Sequence, residues 1–209
     1  FHYICPLIIS SIKSKLEKGI PVRNMEFNGS EQDFVRQLFL LTSKPVIYVA
    51  NVSEDDISSD SIPLVEELKK HVKREDTEVL VVCAGLEEEI AQLDDSERTA
   101  FLQELGIQES GLDKLIRSSY SLLGLISYLT AGPQEVRAWT IEKGTKAPQA
   151  AGKIHTDFER GFIRAEVVAY DDLVEAGSNA AAREKGLIRL EGKDYVVQDG
   201  DVILFRFNV

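Results

Sequence analysis

The sequence is poor in cysteine, in aromatic residues and in long apolar runs. Its 209 residues include two cysteines, and aromatic side chains make up 8% of the chain. Cys5 and Cys83 form neither a disulfide framework nor a zinc spacing, so a reducing, cytoplasmic setting is expected. No apolar stretch approaches the ~20 residues of a membrane-spanning helix, so no membrane partner is expected. The start at Phe1 lacks an initiating Met and a basic leader, and we do not interpret it as a signal peptide.

Basic residues are outnumbered by acidic ones. The chain holds 24 Lys and Arg against 35 Asp and Glu, a net charge of −11. The excess lies in residues 1–125, with 13 basic and 22 acidic side chains, whereas residues 126–209 hold 11 and 13. Because phosphate affinity depends on Lys and Arg, this balance argues against a general phosphate-binding surface, and no DNA partner is expected. A local basic patch in the second half remains open.

A phosphate-binding loop is also missing. The pattern G-x-x-x-x-G-K-[ST], whose backbone cradles phosphates and whose hydroxyl holds Mg²⁺, does not occur. His2, His71 and His155 have no metal-ligand spacing. We therefore assign no catalytic or metal-binding residue, and expect no nucleotide hydrolysis by this chain alone.

The first half predicts a parallel α/β sheet. Two short apolar runs, 46–50 and 79–84, are typical of strands buried on both faces, and a helical pattern separates them. Residues 86–127 are predicted to be helical. Ser30 and Ser96 are predicted to cap two of the helices.

The second half has shorter elements. Strands are predicted at 136–141, 162–170, 188–190, 195–197 and 202–207, with short helices at 147–154 and 178–185. A mixed sheet crossed by a helix within about 80 residues is a β-grasp pattern. The predicted boundary between the halves lies at 130–133.

The polar loop after the first strand is a candidate nucleotide site, because ligands lie beyond the carboxyl ends of strands in open α/β sheets. GTPases place Asn-Lys-x-Asp here, and the Asp binds the Watson–Crick edge of guanine. This chain has Asn51, Val52 and Glu54 in those places. Glu is one methylene longer than Asp, whereas the Asn51 amide suits N6 and N7 of adenine. The residues therefore favour ATP over GTP, although such a loop is often only a connection.

Two further segments are candidates. Cys83, Ala84 and Gly85 end the second strand, where small residues would let backbone amides approach a base; an ordinary turn is the alternative. A basic segment with interleaved Phe158 and Phe162 could contact RNA. Acidic neighbours dilute its charge, so packing of the aromatic rings in the core is favoured. The basic candidates are Lys146, Lys153, Arg160 and Arg164.

Several motifs together resemble one known family. They are KPVIYVANVSE at 44–54, AGPQEVRAWTI at 131–141, KGTKAPQAAG at 143–152, IHTDFERGF at 154–162 and GKDYVVQDGDV at 192–202. The chain resembles the C-terminal part of Obg-like ATPases of the YchF type. The family usually has Ser where Cys83 stands, and Lys is common where Gly85 stands.

The resemblance implies a fold and a function. Residues 1–41 would be a helical-hairpin remnant and connector, 42–125 the end of a P-loop NTPase-type nucleotide-binding domain, and 126–209 a ubiquitin-like TGS domain of β-grasp fold. Asn51, Val52 and Glu54 would face adenine, with 83–85 as the second base-contacting loop. The family hydrolyses ATP with Mg²⁺ and associates with ribosomes, and its phosphate loop lies upstream of such a segment.

Two other interpretations remain open. The chain could be a non-catalytic module whose TGS domain docks on ribosomal RNA or protein, and that binding would weaken steeply with salt. Alternatively, the TGS domain could act as an intramolecular lid on the nucleotide-binding domain.

Overall fold

The computed structural model describes residues 4–59, 61–73, 77–132 and 135–208. The chain forms two units, residues 1–119 and 120–209. The predicted boundary at 130–133 includes Pro133, which lies outside the described residues, as does Gln134 of the second motif.

Unit 1 begins with helices. Helix α1 (Ile4–Leu16) leads to Gly19, whose φ of 76° suits glycine and ends the helical segment. Helix α2 (Gly29–Gln37) follows, with one-turn 3-10 helices at Val22–Asn24 and Leu41–Ser43 on either side. Apolar side chains from these segments share one small core, which contains Ile8, Ile12, Val22, Met25 and Val35.

A parallel two-stranded sheet lies in the rest of unit 1. Strand β1 (Tyr48–Asn51) pairs with β2 (Val79–Val82), with Tyr48 opposite Val79 and Asn51 opposite Val82. The helices of this part are α3 (Glu54–Ile57), α4 (Pro63–Val72), α5 (Ala84–Ile90), α6 (Asp95–Glu104) and α7 (Gly111–Leu122). A second core forms around Cys83, Leu86 and Ile90.

The two predicted helix caps are wrong by two residues each. Asn28, not Ser30, caps α2, and Asp94, not Ser96, caps α6; each forms a reciprocal capping box with a glutamate three residues on. Ser96 instead donates its hydroxyl to Asp94 Oδ1 at 2.7 Å. Asn, Asp and Ser are similarly good caps, so position relative to the glutamate decides between them.

The predicted burial of the first strands on both faces is also wrong for β1. Its residues alternate between half-buried and exposed, and Val49 is 45% exposed. The reason is that, within the described residues, β1 and β2 pair only with each other. A strand is covered on both faces only where further layers pack against a larger sheet.

Unit 2 is a five-stranded mixed sheet. Its strands are β3 (Leu125–Ala131), β4 (Val136–Glu142), β5 (Phe162–Ala169), β6 (Arg189–Glu191) and β7 (Asp201–Phe207), in the order β4-β3-β7-β5-β6. Its helices are α8 (Ala147–Ile154), α9 (Thr156–Arg160), α10 (Tyr170–Ala176) and α11 (Asn179–Glu184). Strands β3 and β7 run parallel and the other pairs antiparallel. The predicted α/β class with a β-grasp domain is confirmed.

Each face of this sheet has its own apolar cluster. Three alanines of α8 pack with Tyr128, Ile203 and other residues on one face. Tyr128 is fully buried, and its hydroxyl donates to the Ala150 carbonyl at 2.8 Å; burial raises the pKa of Tyr128. On the other face, Val168 and Val202 pack against α10 and α11. We call this second side of the sheet the outer face.

Some predicted boundaries were wrong. Helix α7 ends at Leu122, and Gly124 (φ 63°) turns the chain into β3, so residues 125–127 are strand and not helix. The predicted strand at 195–197 is an isolated bridge between Val196 and Lys146. Helices α9 and α10 were not predicted.

Candidate functional site

Two loops meet at the carboxyl edge of the parallel sheet in unit 1. Asn51 is the last residue of β1, and Val52 and Glu54 follow it. Cys83 follows β2, and α5 begins at Ala84. Because β1 and β2 are parallel and in register, both loops emerge at the same edge, as the sequence predicted.

A side-chain hydrogen bond joins the two loops. The backbone N–H of Ala84 donates to Asn51 Oδ1 at 3.0 Å, across 33 residues of sequence. The Val52 N–H donates to the Val82 carbonyl at 2.8 Å, which extends the pairing beyond the strands. Asn51 therefore satisfies one of the unpaired N–H groups at the start of α5, and the Cys83 side chain does not.

Glu54 lies beside Gly85. A Cβ atom at Gly85 would be 3.4 Å from Glu54 Oε1, which is ordinary contact distance. Both residues are exposed, so the space next to the carboxylate is open to solvent. The missing side chain at Gly85 thus leaves room over the second loop.

Cys83 is placed differently from the other five residues. It is 4% exposed and belongs to the core formed with Leu86 and Ile90. Its thiol is therefore a packing group, and only the backbone at this position reaches the edge of the sheet.

Glu87, in the helix that follows the second loop, is hydrogen-bonded to the start of α7. Its carboxylate accepts from Gly111 N at 2.6 Å and from Leu112 N at 3.1 Å, so it caps α7. A Cβ atom at Gly111 would be 2.8 Å from Val82 Cγ1, so only glycine allows this approach. The partners of Glu87 lie 24 and 25 residues away, so no local sequence pattern indicates this role.

The structure does not bring the four basic candidates together. Lys146 precedes α8 and is paired with Asp194 at 2.7 Å, a contact that lowers the pKa of Asp194. Lys153 lies in α8 and Arg160 ends α9, on the side of the sheet that α8 covers. Arg164 lies in β5 and projects from the outer face.

The two interleaved aromatic residues pack inside unit 2. Phe162 is 5% exposed and belongs to the core under α8. The Phe158 ring stacks on Phe207, with ring centroids 3.8 Å apart. The preferred prediction, that these rings serve the core, is confirmed.

The described residues contain neither a membrane-spanning helix nor a cluster of metal ligands. None of the helices there is long and apolar enough to cross a membrane. Across those same residues, no group of three His, Cys, Asp or Glu side chains could hold a metal ion.

Comparison with known proteins gives consistent matches. Residues 125–208 match the family model YchF-GTPase_C, described as a protein of unknown function (DUF933). The chain is 60% identical over 203 residues to the ribosome-binding ATPase YchF of Bacillus subtilis, covering 97% of this chain and 56% of that protein. It is 43% identical over 205 residues to Obg-like ATPase 1 of Rattus norvegicus, covering 96% of this chain and 52% of that protein.

A solved structure agrees in fold. The Schizosaccharomyces pombe YchF GTPase superposes with a TM-score of 0.85 at 36% identity, covering 96% of this chain and 53% of that one. The chain therefore spans about half the length of the curated relatives and of the solved structure that it matches.

Proposed function

Because this chain belongs to the YchF-type Obg-like ATPases, we propose that it is the C-terminal portion of a ribosome-associated protein that binds and hydrolyses ATP. The name of the bacterial relative, ribosome-binding ATPase, supports ribosome association, and we propose a cytoplasmic location because ribosomes lie there. We further propose a hairpin remnant at 1–41, the end of the nucleotide-binding domain at 42–125 and a TGS domain at 126–209. Phosphates and Mg²⁺ would be held by sequence that the longer relatives have, since this chain has no phosphate-binding loop.

Asn51 is the residue that would contact the base. The observation that carries this proposal is the 3.0 Å hydrogen bond from Ala84 N to Asn51 Oδ1. It fixes the carboxamide at the edge of the sheet where both loops begin. Its Nδ2 can then donate to purine N7, and the second lone pair of Oδ1 can accept from N6 of adenine. A preorganised amide loses little entropy on binding.

Val52 and Glu54 would favour ATP over GTP. Val52 replaces a lysine whose stem would lie along the base, and Glu54 replaces the aspartate that binds N1 and N2 of guanine. Glu54 is the first residue of α3, and its carboxylate lies beside Gly85. The shorter side chain of an aspartate at this position would place its carboxylate elsewhere. Ala84 and Gly85 would let the backbone of the second loop approach the base, with Cys83 supporting them from the core.

Substitution of Asn51 tests the base contact. The chain would be joined to the preceding part of the Bacillus subtilis relative, and ATP binding to this chimera measured by calorimetry. Asn51→Ala removes the donor to N7 and the cap on α5, so ATP affinity should fall about tenfold, which corresponds to ~1.4 kcal/mol.

A matched variant separates base binding from general damage. Asn24→Ala changes an exposed asparagine in the short turn before α2 and should leave the affinity for ATP unchanged. If Asn51→Ala keeps both the melting temperature and the ATP affinity of the unsubstituted chimera, Asn51 is not a base contact.

The alternative function is a non-catalytic TGS module that docks on ribosomal RNA or protein. The exposed Lys153 and Arg160 favour it, because neither has an ion-pair partner among the described residues. Lys146 would contribute less, since Asp194 already neutralises it, and Arg164 would act from the other side of the sheet. On this alternative, ribosome binding would persist when Asn51 is substituted.

A further inference from the structure

The outer face of unit 2 brings two arginines directly opposite each other. In the antiparallel pair β5–β7, Arg164 is opposite Arg206, and a register shift lies between Phe162 and Arg164. Phe162 belongs to the core under α8, so the extra residue re-aims Arg164 to the opposite face. Like charges directly opposite each other in a sheet destabilise it unless a counter-charge lies nearby.

A buried carboxylate organises the arginines. Glu166 lies between Ala165 and Val167, which face α8, so its own side chain is on the outer face, where it is 8% exposed. Glu166 Oε1 accepts from Arg206 Nε at 2.8 Å, and Oε2 accepts from Arg183 Nη2 at 2.7 Å. One carboxylate therefore fixes two guanidinium groups.

The guanidinium groups remain accessible and carry excess charge. The side chains of Arg183 and Arg206 are 65% and 49% exposed. Hydrogen bonds from Arg206 and then Arg183 hold the pKa of Glu166 below its usual value, so at neutral pH it is ionised and offsets one positive charge. Arg164 has no ion-pair partner in the part of the chain that the structure describes. Three arginines around one carboxylate leave a local excess of two positive charges.

The strand positions around these arginines carry little that competes for them. Strand positions on the same face carry small or aliphatic side chains, among them Ala131, Val136, Leu190 and Leu204. Apart from Glu166, the one acidic residue at the described outward-facing strand positions is Glu142, at the far end of edge strand β4. No aromatic side chain occurs at those strand positions, so the strands offer no ring on which a base could stack, whereas α10 on this face begins with the exposed Tyr170.

We propose that Arg164, Arg183 and Arg206 form a binding site for the phosphate backbone of RNA on the outer face of unit 2. The planar guanidinium fork matches phosphate oxygens in two parallel hydrogen bonds. Because contacts to phosphate carry no base information, the contact made by the three arginines is independent of sequence. This inference rests on the proposed ribosome association, and it assigns the contact to the face opposite Lys153 and Arg160.

Arg164→Gln tests the site without disturbing Glu166. Binding of the 209-residue chain to a fluorescein-labelled 16-base-pair RNA duplex of arbitrary sequence would be measured by anisotropy over a range of salt concentrations. The variant should bind about 5- to 10-fold more weakly near 0.1 M salt, and the slope of log K against log salt should fall by about 1. Arg164→Lys keeps the charge and loses the guanidinium fork, so its affinity for the duplex should lie between those of the unsubstituted chain and Arg164→Gln.

Lys193→Gln is the matched control. It removes one exposed positive charge from the turn after β6, beside the Asp194 that pairs with Lys146, and should leave the affinity and salt slope within twofold of the unsubstituted chain. If Arg164→Gln leaves both quantities unchanged while the unsubstituted chain binds, the arginine site is wrong.

Sedimentation with ribosomes separates this inference from the proposed function. If the chain pellets with ribosomes, Arg164→Gln reduces pelleting and the free RNA duplex competes, the RNA site is supported. If Arg164→Gln reduces pelleting but the duplex neither binds nor competes, the partner is an acidic protein surface and the RNA proposal is overturned. Binding to the duplex through Arg164 without pelleting supports the arginine site and contradicts ribosome association. If the chain binds neither the RNA duplex nor ribosomes, the arginine site and the ribosome association are both wrong.

Discussion

At the residue scale, polar side chains hold together segments that are far apart along the chain. Asn51 accepts from Ala84, and Glu166 accepts from Arg183 and Arg206. Within the described residues, no buried side-chain nitrogen or oxygen lacks a hydrogen-bond partner. Removing a partner of the buried Glu166 carboxylate would therefore leave a buried acceptor unpaired, which costs free energy.

Glu166→Gln should destabilise the chain in a pH-dependent way. The amide is neutral and has one oxygen acceptor, so the free energy of unfolding at pH 7 should fall by about 1–3 kcal/mol. The folded-state pKa of Glu166 is lowered from 4.5, so its contribution is present above that pH and is lost as pH falls through the folded-state pKa. Urea unfolding of both proteins at pH 7 and at successively lower pH should show the difference shrinking.

The control for this prediction is Glu184→Gln, an exposed glutamate at the end of α11. It should change the free energy of unfolding by less than about 0.5 kcal/mol at any pH. A Glu166→Gln variant as stable as this control at pH 7 would mean that the arginines are not organised by a charged carboxylate.

At the element scale, the turn between α9 and β5 is closed by the last described residue. Gly161 donates its N–H to the Asp157 carbonyl at 2.8 Å and accepts from Asn208 N at 2.9 Å. A Cβ atom at Gly161 would overlap the Asn208 carbonyl oxygen and lie 2.9 Å from its carbon. The φ of Gly161 is −88°, so close approach and not backbone conformation requires glycine here.

Gly161→Ala should therefore separate the end of β7 from α9. We expect a loss of about 1–3 kcal/mol in the free energy of unfolding, because backbone must move to admit the methyl group. Gly192→Ala is the matched control, since nothing lies within 4 Å of its added Cβ and its φ is not positive. Equal melting temperatures for the two variants would contradict the proposed closure of the turn.

The sequence predicted elements well where a local pattern decides them. The apolar runs that became β1 and β2, and α8 with Pro148 in its first turn, follow from periodicity and turn residues. Strand β3 was missed because its apolar residues continue those of α7, and its partners β4 and β7 supply the pairing that makes it a strand. Helices α9 and α10 are too short to show a period.

The candidate sites could be predicted only in part. Parallel strands place two loops at one edge, so the proximity of Asn51 and Ala84 follows from sequence, but the bond between them does not. The basic segment looked continuous in sequence, whereas the sheet and the bulge at Ile163 put Arg164 on the face opposite Lys153. Arg183 and Arg206 were not singled out, because their link to Glu166 spans 17 and 40 residues.

At the scale of the whole molecule, the two halves differ in charge. The acidic excess is concentrated in residues 1–125, which leaves the second half the better place for an anionic partner. Both units expose large apolar side chains, and those of unit 1 include Phe39, Leu41 and Leu64. Relatives nearly twice as long have further chain that could cover such surfaces, which supports the proposal that nucleotide binding involves more than this segment.

The most direct test of the account is the nucleotide preference of the chimera that joins this chain to the preceding part of the Bacillus subtilis relative. Calorimetric titrations would compare ATP and GTP for the unsubstituted chimera and for Val52→Lys with Glu54→Asp, which restores the guanine-binding pattern. The account predicts that ATP binds at least about tenfold more tightly, since one base-edge contact is worth ~1–3 kcal/mol, and that the double variant shifts the preference toward GTP. Equal or tighter GTP binding by the unsubstituted chimera would contradict the assignment of Asn51, Val52 and Glu54 to an adenine site.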